Sequence, residues 1–333
     1  MKKLISLLAI ISIFLLAACG SGEESANETS GNSEAGEETY KVGATQIVEH
    51  PSLDEAYRGF QDALADAGLE VEYDFQSAQN DQNNVKPISD GFVADNVDLI
   101  FANSTPSALG ALQATSEIPI VFTSVTDAVD AGLVPSMEEA GENITGVVDL
   151  HPEQIDATVE FIDKHFPDAN VGMIYNAGEQ NSVNQVESVK AAAEDTSLSI
   201  EERTVANSAE VQQAATTLVE DADVFYIITD NTVVSALDSV VGVANDQDIP
   251  LIVGEPDSLA KGGFATFGID YHTIGYRTGE MAADILTGEK EPGEIPAEYP
   301  PEIQLFINKA GAEEQGVEWK EEWDESAEIV ETE

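Results

Sequence analysis

From residue 40 onward, short continuous apolar runs alternate with stretches whose apolar residues recur every three or four positions. The runs predict strands over 40–48, 69–75, 97–102, 118–123, 144–149, 170–175, 198–205, 223–229, 249–254 and 263–269. Several are unbroken in Val, Ile and Phe, as expected of strands covered on both faces. The stretches between them predict helices over 53–67, 106–115, 154–166, 183–194, 209–220, 233–246 and 271–286. Such alternation implies parallel sheets covered by helices, an α/β fold.

The pattern also repeats. Residues 97–127 and 222–257 share an acid, an apolar strand with a polar end, a helix, an Ile-Pro pair, a second strand and an acidic loop. Upstream, 53–75 matches 183–205, each a helix and then a strand. His50-Pro51 with Asp54 is echoed by His151-Pro152 with Asp156, and proline favours a first helical turn. Chance likeness between generic βαβ units is the alternative. A true repeat means two Rossmann-like lobes. Ligands of open parallel sheets sit beyond the C-terminal strand ends. That places a cleft between Asn103, Ser104, Thr105, Thr123 and Ser124 on one lobe and Thr229, Asp230, Asn231, Glu255 and Asp257 on the other.

The N-terminus breaks the pattern. Met1-Lys2-Lys3 precedes an apolar stretch over 4–16, too short to span a membrane as a mature helix, so 1–19 reads as a secretory signal. Its end, Leu16-Ala17-Ala18-Cys19-Gly20, resembles the lipobox of bacterial lipoproteins, in which the cysteine becomes a lipid-bearing N-terminus. An ordinary signal peptide with an incidental cysteine is the alternative. Residues 20–39 are Gly, Ser, Asn and Glu with almost no apolar side chain, a solvated acidic tether. Cys19 would then hold a folded part on the membrane, facing the extracytoplasmic side.

Composition excludes several functions. Among 333 residues, 13 Lys and Arg face 64 Asp and Glu, a net charge of -51. No basic surface is available to bind nucleic acid. Exposure to concentrated salt, as in a halophile, is the simplest reading of this acidity, and an alkaline medium competes with it. With one Cys there is neither an intrachain disulfide nor a cysteine-built zinc site. The four histidines (His50, His151, His165, His272) lack metal-ligand spacing. No nucleophile elbow, phosphate loop or zinc-protease helix occurs. A lipid-tethered extracytoplasmic domain leaves capture, sensing, adhesion or surface hydrolysis, and no enzyme, cofactor or metal is expected.

With these residues in view, the chain resembles the solute-binding lipoproteins of bacterial ABC transporters. More narrowly it resembles the aromatic-amino-acid-binding family with the type I periplasmic-binding-protein fold. The resemblance rests on Gln46-Ile47-Val48-Glu49-His50-Pro51-Ser52-Leu53-Asp54, Gly59-Phe60, Asp98-Leu99-Ile100, Thr105-Pro106, Ile118-Pro119-Ile120-Val121-Phe122 and Asn143-Ile144-Thr145-Gly146-Val147. It continues through Asn181-Ser182, Asp230-Asn231, Gly262-Gly263-Phe264-Ala265-Thr266 and Gly268-Ile269-Asp270-Tyr271. These run in order over nearly the whole folded part. Thr126-Asp127-Ala128 departs from the pattern by lacking a proline after the aspartate. The resemblance implies a monomer that captures an L-aromatic amino acid by lobe closure and hands it to an ABC permease. It also implies crossovers giving lobe one as 40–149 plus 271–295 and lobe two as 150–270 plus 296–325; the acidic tail over 326–333 departs from the family.

An amino acid needs donors for its carboxylate and an acid for its ammonium. Ser104 and Thr105, before Pro106, offer a helix N-terminus and hydroxyls, and Thr123 and Ser124 add more. Plain helix capping explains them equally simply. Asp230 and Asp257, and less so Glu255, are the ammonium candidates, although most acids here are solvated surface charges. Asn181 and Asn231 can donate and accept. Gln46, His50 and Pro51 follow the first strand, where His50 lines a side-chain pocket or caps a helix. Tyr175, Phe122 and Tyr271 are wall or core aromatics. A sugar, nucleoside or purine in the same cleft, or a sensing receptor, remain rival readings.

Overall fold

The computed structural model describes residues 39–330. The expected signal peptide, lipobox and Cys19, nearly all of the tether and residues 331–333 lie outside the described residues. Thr39, expected in the tether, already belongs to a strand.

The first half of the chain runs β1 (Thr39–Gln46), α1 (Pro51–Asp66), β2 (Glu70–Ser77), α2 (Gln82–Ala94), β3 (Leu99–Asn103), α3 (Thr105–Ala114), β4 (Ile120–Val125) and β5 (Ile144–Val148). Its five strands form a parallel sheet in the order β2-β1-β3-β4-β5. Every residue of β3 and β4 is buried, and both are apolar up to polar residues near their C-terminal ends, Asn103 in β3 and Thr123 and Ser124 in β4. The edge strand β2 alternates instead, with Val71 and Tyr73 turned inward between exposed acids.

The second half runs α4 (Gln154–His165), β6 (Asn170–Tyr175), α5 (Gln180–Ala193), β7 (Ser199–Thr204), α6 (Val211–Leu218), β8 (Val224–Ile227), α7 (Asn231–Val234), α8 (Leu237–Asp246), β9 (Leu251–Val253), α9 (Pro256–Ala260) and β10 (Ala265–Gly268). Its sheet contains the order β7-β6-β8-β9-β10, the first sheet's order again. The repeat seen in sequence is therefore a repeat of topology, with two lobes of the type I periplasmic-binding kind.

Then α10 (Tyr271–Leu286) returns to the first lobe and packs along α1. The backbones touch there: a Cβ on Gly275 would stand 1.9 Å from the Ala56 carbonyl oxygen, and one on Gly59 would stand 2.2 Å from that of His272. Contact with the first sheet reaches past the boundary expected at 295. Val148 N–H donates to the Glu298 carbonyl at 2.9 Å, and Glu298 N–H to that of Gly146 at 3.0 Å.

The chain re-enters the second sheet as β11 (Gln304–Asn308), continues as α11 (Lys309–Glu314) and α12 (Trp323–Ser326), and ends in β12 (Glu328–Val330). The expectation of purely parallel sheets fails at β11. It starts beside Gly268, at the C-terminal end of β10, and so must run antiparallel to it. The tail expected over 326–333 is corrected in its described part. There, β12 pairs in parallel with β11, setting Ile329 opposite Ile307. Trp323 is 1% exposed in the core beside it.

Candidate functional site

A cavity lies between the C-terminal ends of the two sheets, where the N-termini of α1, α3, α5 and α10 converge. The loop after β1 supplies its first wall. His50 caps α1, its Nδ1 accepting the Ser52 N–H at 3.3 Å. Burial first, and the charge of Lys261 second, push His50 down to about 4, so the ring is neutral at pH 7. With Nδ1 accepting, the ring proton resides on Nε2. That Nε2–H lines the cavity with no hydrogen-bond partner among the described residues.

The ends of β3 and β4 form the second wall. Ser104 and Ser124 both hold positive φ, 137° and 54°, a region non-glycine residues rarely adopt. Ser104 caps α3 by accepting the Ser107 N–H at 3.2 Å. Thr105 Oγ1 accepts the Thr126 N–H at 3.3 Å. The strained turn at Ser124 aims its buried hydroxyl at the cavity, where it too is unpartnered.

Lobe two closes the opposite side. Asp230, fully buried, caps α7 through the Val233 N–H at 2.7 Å and also accepts the Asn176 N–H at 2.6 Å. Burial first, then the nearby Glu179, push it up to about 7. Glu179 is buried as well and clamps the same turn. It accepts from Asn231 Nδ2 at 2.7 Å and from Thr232 Oγ1 at 2.7 Å. Asn181 donates to the Thr229 carbonyl at 3.3 Å, which leaves its Oδ1 buried without a partner.

At the crossover between the lobes stands Asp149, one residue past β5. Its Oδ2 accepts the Tyr271 hydroxyl at 3.1 Å, and its Oδ1 has no partner among the described residues. Burial pushes this carboxyl up to about 6. Glu255, after β9, caps α9 and touches lobe one: Ser52 Oγ lies 2.7 Å from Glu255 Oε2 and 2.6 Å from Asp257 Oδ2. The lobes meet again where Gln185 Nε2 donates to Thr126 Oγ1 at 3.4 Å and Gln180 Nε2 to the Asp130 carbonyl at 2.7 Å.

Eight of the residues expected at the cleft therefore line one cavity: His50, Thr105, Ser124, Asn181, Thr229, Asp230, Asn231 and Glu255. Six stand behind it, Asn103 among them, donating to Gln46 and to the Leu53 carbonyl. Gln46 is scaffold, donating to Asp54 and accepting from Asn103. Pro51 is the exposed first residue of α1, Ser104 is a cap, and Thr123 is wholly buried in β4. Asp257 reaches Ser52 rather than the cavity. Of the aromatics, Tyr271 lines the cavity and Tyr175 and Phe122 do not. Sequence reasoning passed over Ser52, Asp149 and Thr126. A hydrophilic residue directly after each buried strand was a usable signal for Asp149 and Thr126. Nothing local marks Ser52, whose partners are more than 200 residues away.

Residues 41–330 match the family model for ABC transporter substrate binding proteins. The chain is 41% identical over 316 residues to a tyrosine-binding protein of Clostridioides difficile (strain R20291), covering 92% of this chain and 90% of that one. Among solved structures it is similar to a domain from Streptococcus pneumonia in complex with L-Trp. There the identity is 32%, coverage is 88% of this chain and all of that one, and the TM-score is 0.83. A ligand-free, open substrate binding protein with adhesive properties from Clostridium difficile is 37% identical over 88% of this chain and all of its own, with a TM-score of only 0.66. The likeness in shape thus runs against the likeness in sequence. This lobe arrangement matches the L-Trp complex better than the open form.

Proposed function

Because the chain belongs to the ABC transporter substrate-binding proteins, we propose that it is a lipid-anchored capture protein, tethered through Cys19 on the extracytoplasmic face. It works as a monomer. It closes its two lobes, 39–149 plus 271–298 and 150–270 plus 304–330, around an L-aromatic amino acid and delivers it unchanged to a membrane permease.

One observation carries the ligand class. Three acids, Asp149, Asp230 and Glu255, line the cavity, and no Lys or Arg lines it among the described residues. Beside them lie two unsatisfied donors, His50 Nε2–H and Ser124 Oγ–H, and two unsatisfied acceptors, Asp149 Oδ1 and Asn181 Oδ1. A ligand carrying one ammonium and one carboxylate satisfies both sets, and buried polar groups are costly until satisfied. Val48, Leu53, Val234 and Tyr271 give the apolar surface for a ring. The tyrosine-binding relative and the L-Trp complex favour an aromatic one.

The test is thermal unfolding of the purified protein in molar salt against amino acids, sugars and nucleosides. A ligand at about 100 times its Kd adds about 2.7 kcal/mol, a rise of several degrees at about 2–4 °C per kcal/mol. Shifts with Tyr, Trp or Phe are expected. A shift with sugars or nucleosides alone would sink the amino-acid assignment.

A further inference from the structure

The cavity presents three carboxylates to a ligand with one ammonium, and they differ in what already occupies them. Both oxygens of Asp230 accept backbone N–H groups, from Val233 and from Asn176. Glu255 is more committed still. Its Oε1 accepts the Ser258 N–H at 2.7 Å, and its Oε2 takes the Asp257 N–H at 2.6 Å and faces Ser52 Oγ. Asp149 is engaged at one oxygen only. The Tyr271 hydroxyl fixes Oδ2, and Oδ1 stays buried without a partner. A carboxylate oxygen left bare in a buried site is costly, more so than a neutral one.

From this difference we infer that Asp149, held in place by Tyr271, is the residue that receives the ligand's ammonium, while Asp230 and Glu255 act mainly as helix caps that shape the wall. The inference rests on the amino-acid reading above and sharpens it. Asn181 Oδ1, the other unsatisfied acceptor, takes a second ammonium hydrogen from lobe two. The ammonium thereby joins a side chain at the crossover to one on the far lobe. Tyr271 is a positioning residue, since it stands at the first position of α10, directly after the second crossover. Both members of the pair thus belong to the segments that connect the lobes.

Isothermal titration separates the alternatives. The probes are L-tyrosine, L-tryptophan and the deaminated analogue 3-(4-hydroxyphenyl)propanoate, each against wild type, Asp149→Asn, Tyr271→Phe and Asp230→Asn. Truncating one member of a buried charge pair costs enough that Asp149→Asn should weaken binding of the amino acids by at least about 30-fold. It should leave the analogue nearly as it was, so that the preference for the amine collapses. Tyr271→Phe should reduce that preference by a smaller factor and serves if Asp149→Asn fails to fold. Asp230→Asn should weaken amino acid and analogue alike, preserving the preference.

If the preference survives both Asp149→Asn and Tyr271→Phe and disappears in Asp230→Asn, the assignment to Asp149 is overturned while the amino-acid function stands. If wild type binds neither amino acid, the functional reading falls and takes the assignment with it.

Discussion

Asp149 is buried and negatively charged only at a cost. Burial raises it from 3.8 to about 6, so the fold favours its protonated form. The associated stability is fully present below pH 3.8 and is lost as pH rises through about 6. The shift corresponds to about 3 kcal/mol. His50 works the other way. Lowered from 6.5 to about 4, it contributes stability above pH 6.5 that is lost as pH falls through about 4. Asp149→Asn removes the first dependence and leaves the second. Relative to wild type without ligand, the variant should gain about 3 kcal/mol in unfolding free energy between pH 4 and pH 7, read from denaturant melts at each pH. An unchanged difference would mean that Asp149 is solvated or paired in the native protein. At this scale the sequence could name the residue types at the strand ends but could not show which carboxylate oxygen is left bare, because that depends on Tyr271, 122 residues away.

Among elements, the α1–α10 pair makes backbone contact that only small residues allow. Gly59, Gly275 and Gly279 let two 16-residue helices touch backbone to backbone. Gly275→Ala must push the helices apart, since its methyl would stand 1.9 Å from a carbonyl oxygen that cannot rotate away. Overpacking of this kind costs about 1–3 kcal/mol, so the melting temperature should fall by several degrees. Gly91→Ala, with nothing within 4 Å of the added Cβ, should not lower it. Both helices were readable from their apolar periodicity, as was Asn170–Tyr175 to the residue. Helix α2 was not, because Pro87 and Gly91 interrupt it. It forms because Asp81 caps it and Val85, Ser89 and Phe92 anchor its inner face. Strand β11 was missed for another reason: its burial is partial and its pairing antiparallel.

For the molecule as a whole, lobe contact and charge set the behaviour. Ser52 Oγ carries one hydrogen and lies within hydrogen-bond distance of two carboxylates across the cleft. It can donate to only one of them at a time, and burial raises the Asp257 carboxyl above its ordinary value. Ser52→Ala removes one of the hydrogen-bond links between the lobes and should weaken ligand affinity by about 10-fold, with the melting temperature of the ligand-free protein little changed. Calorimetric titration beside a thermal melt checks both. The charge of -51 predicts that the melting temperature rises from about 0.1 M to 1 M NaCl, as the screening length shortens from about 10 Å to about 3 Å. A flat response would remove the saline reading of the composition.

The sequence by itself determined the α/β class and the two-lobed repeat. Buried parallel strands must be apolar throughout and amphipathic helices must repeat every 3.6 residues, so both are written locally. It also determined that polar residues follow the strands, where open sheets place their ligands. Eight of the expected residues meet around one cavity for that reason. Only the tertiary structure decided which of them face the cavity and which serve as caps or scaffold behind it. It alone brought Ser52 to Glu255 and Asp257, and Tyr271 to Asp149. Those contacts join segments more than a hundred residues apart, and no local pattern of residues encodes where a crossing chain will set them side by side.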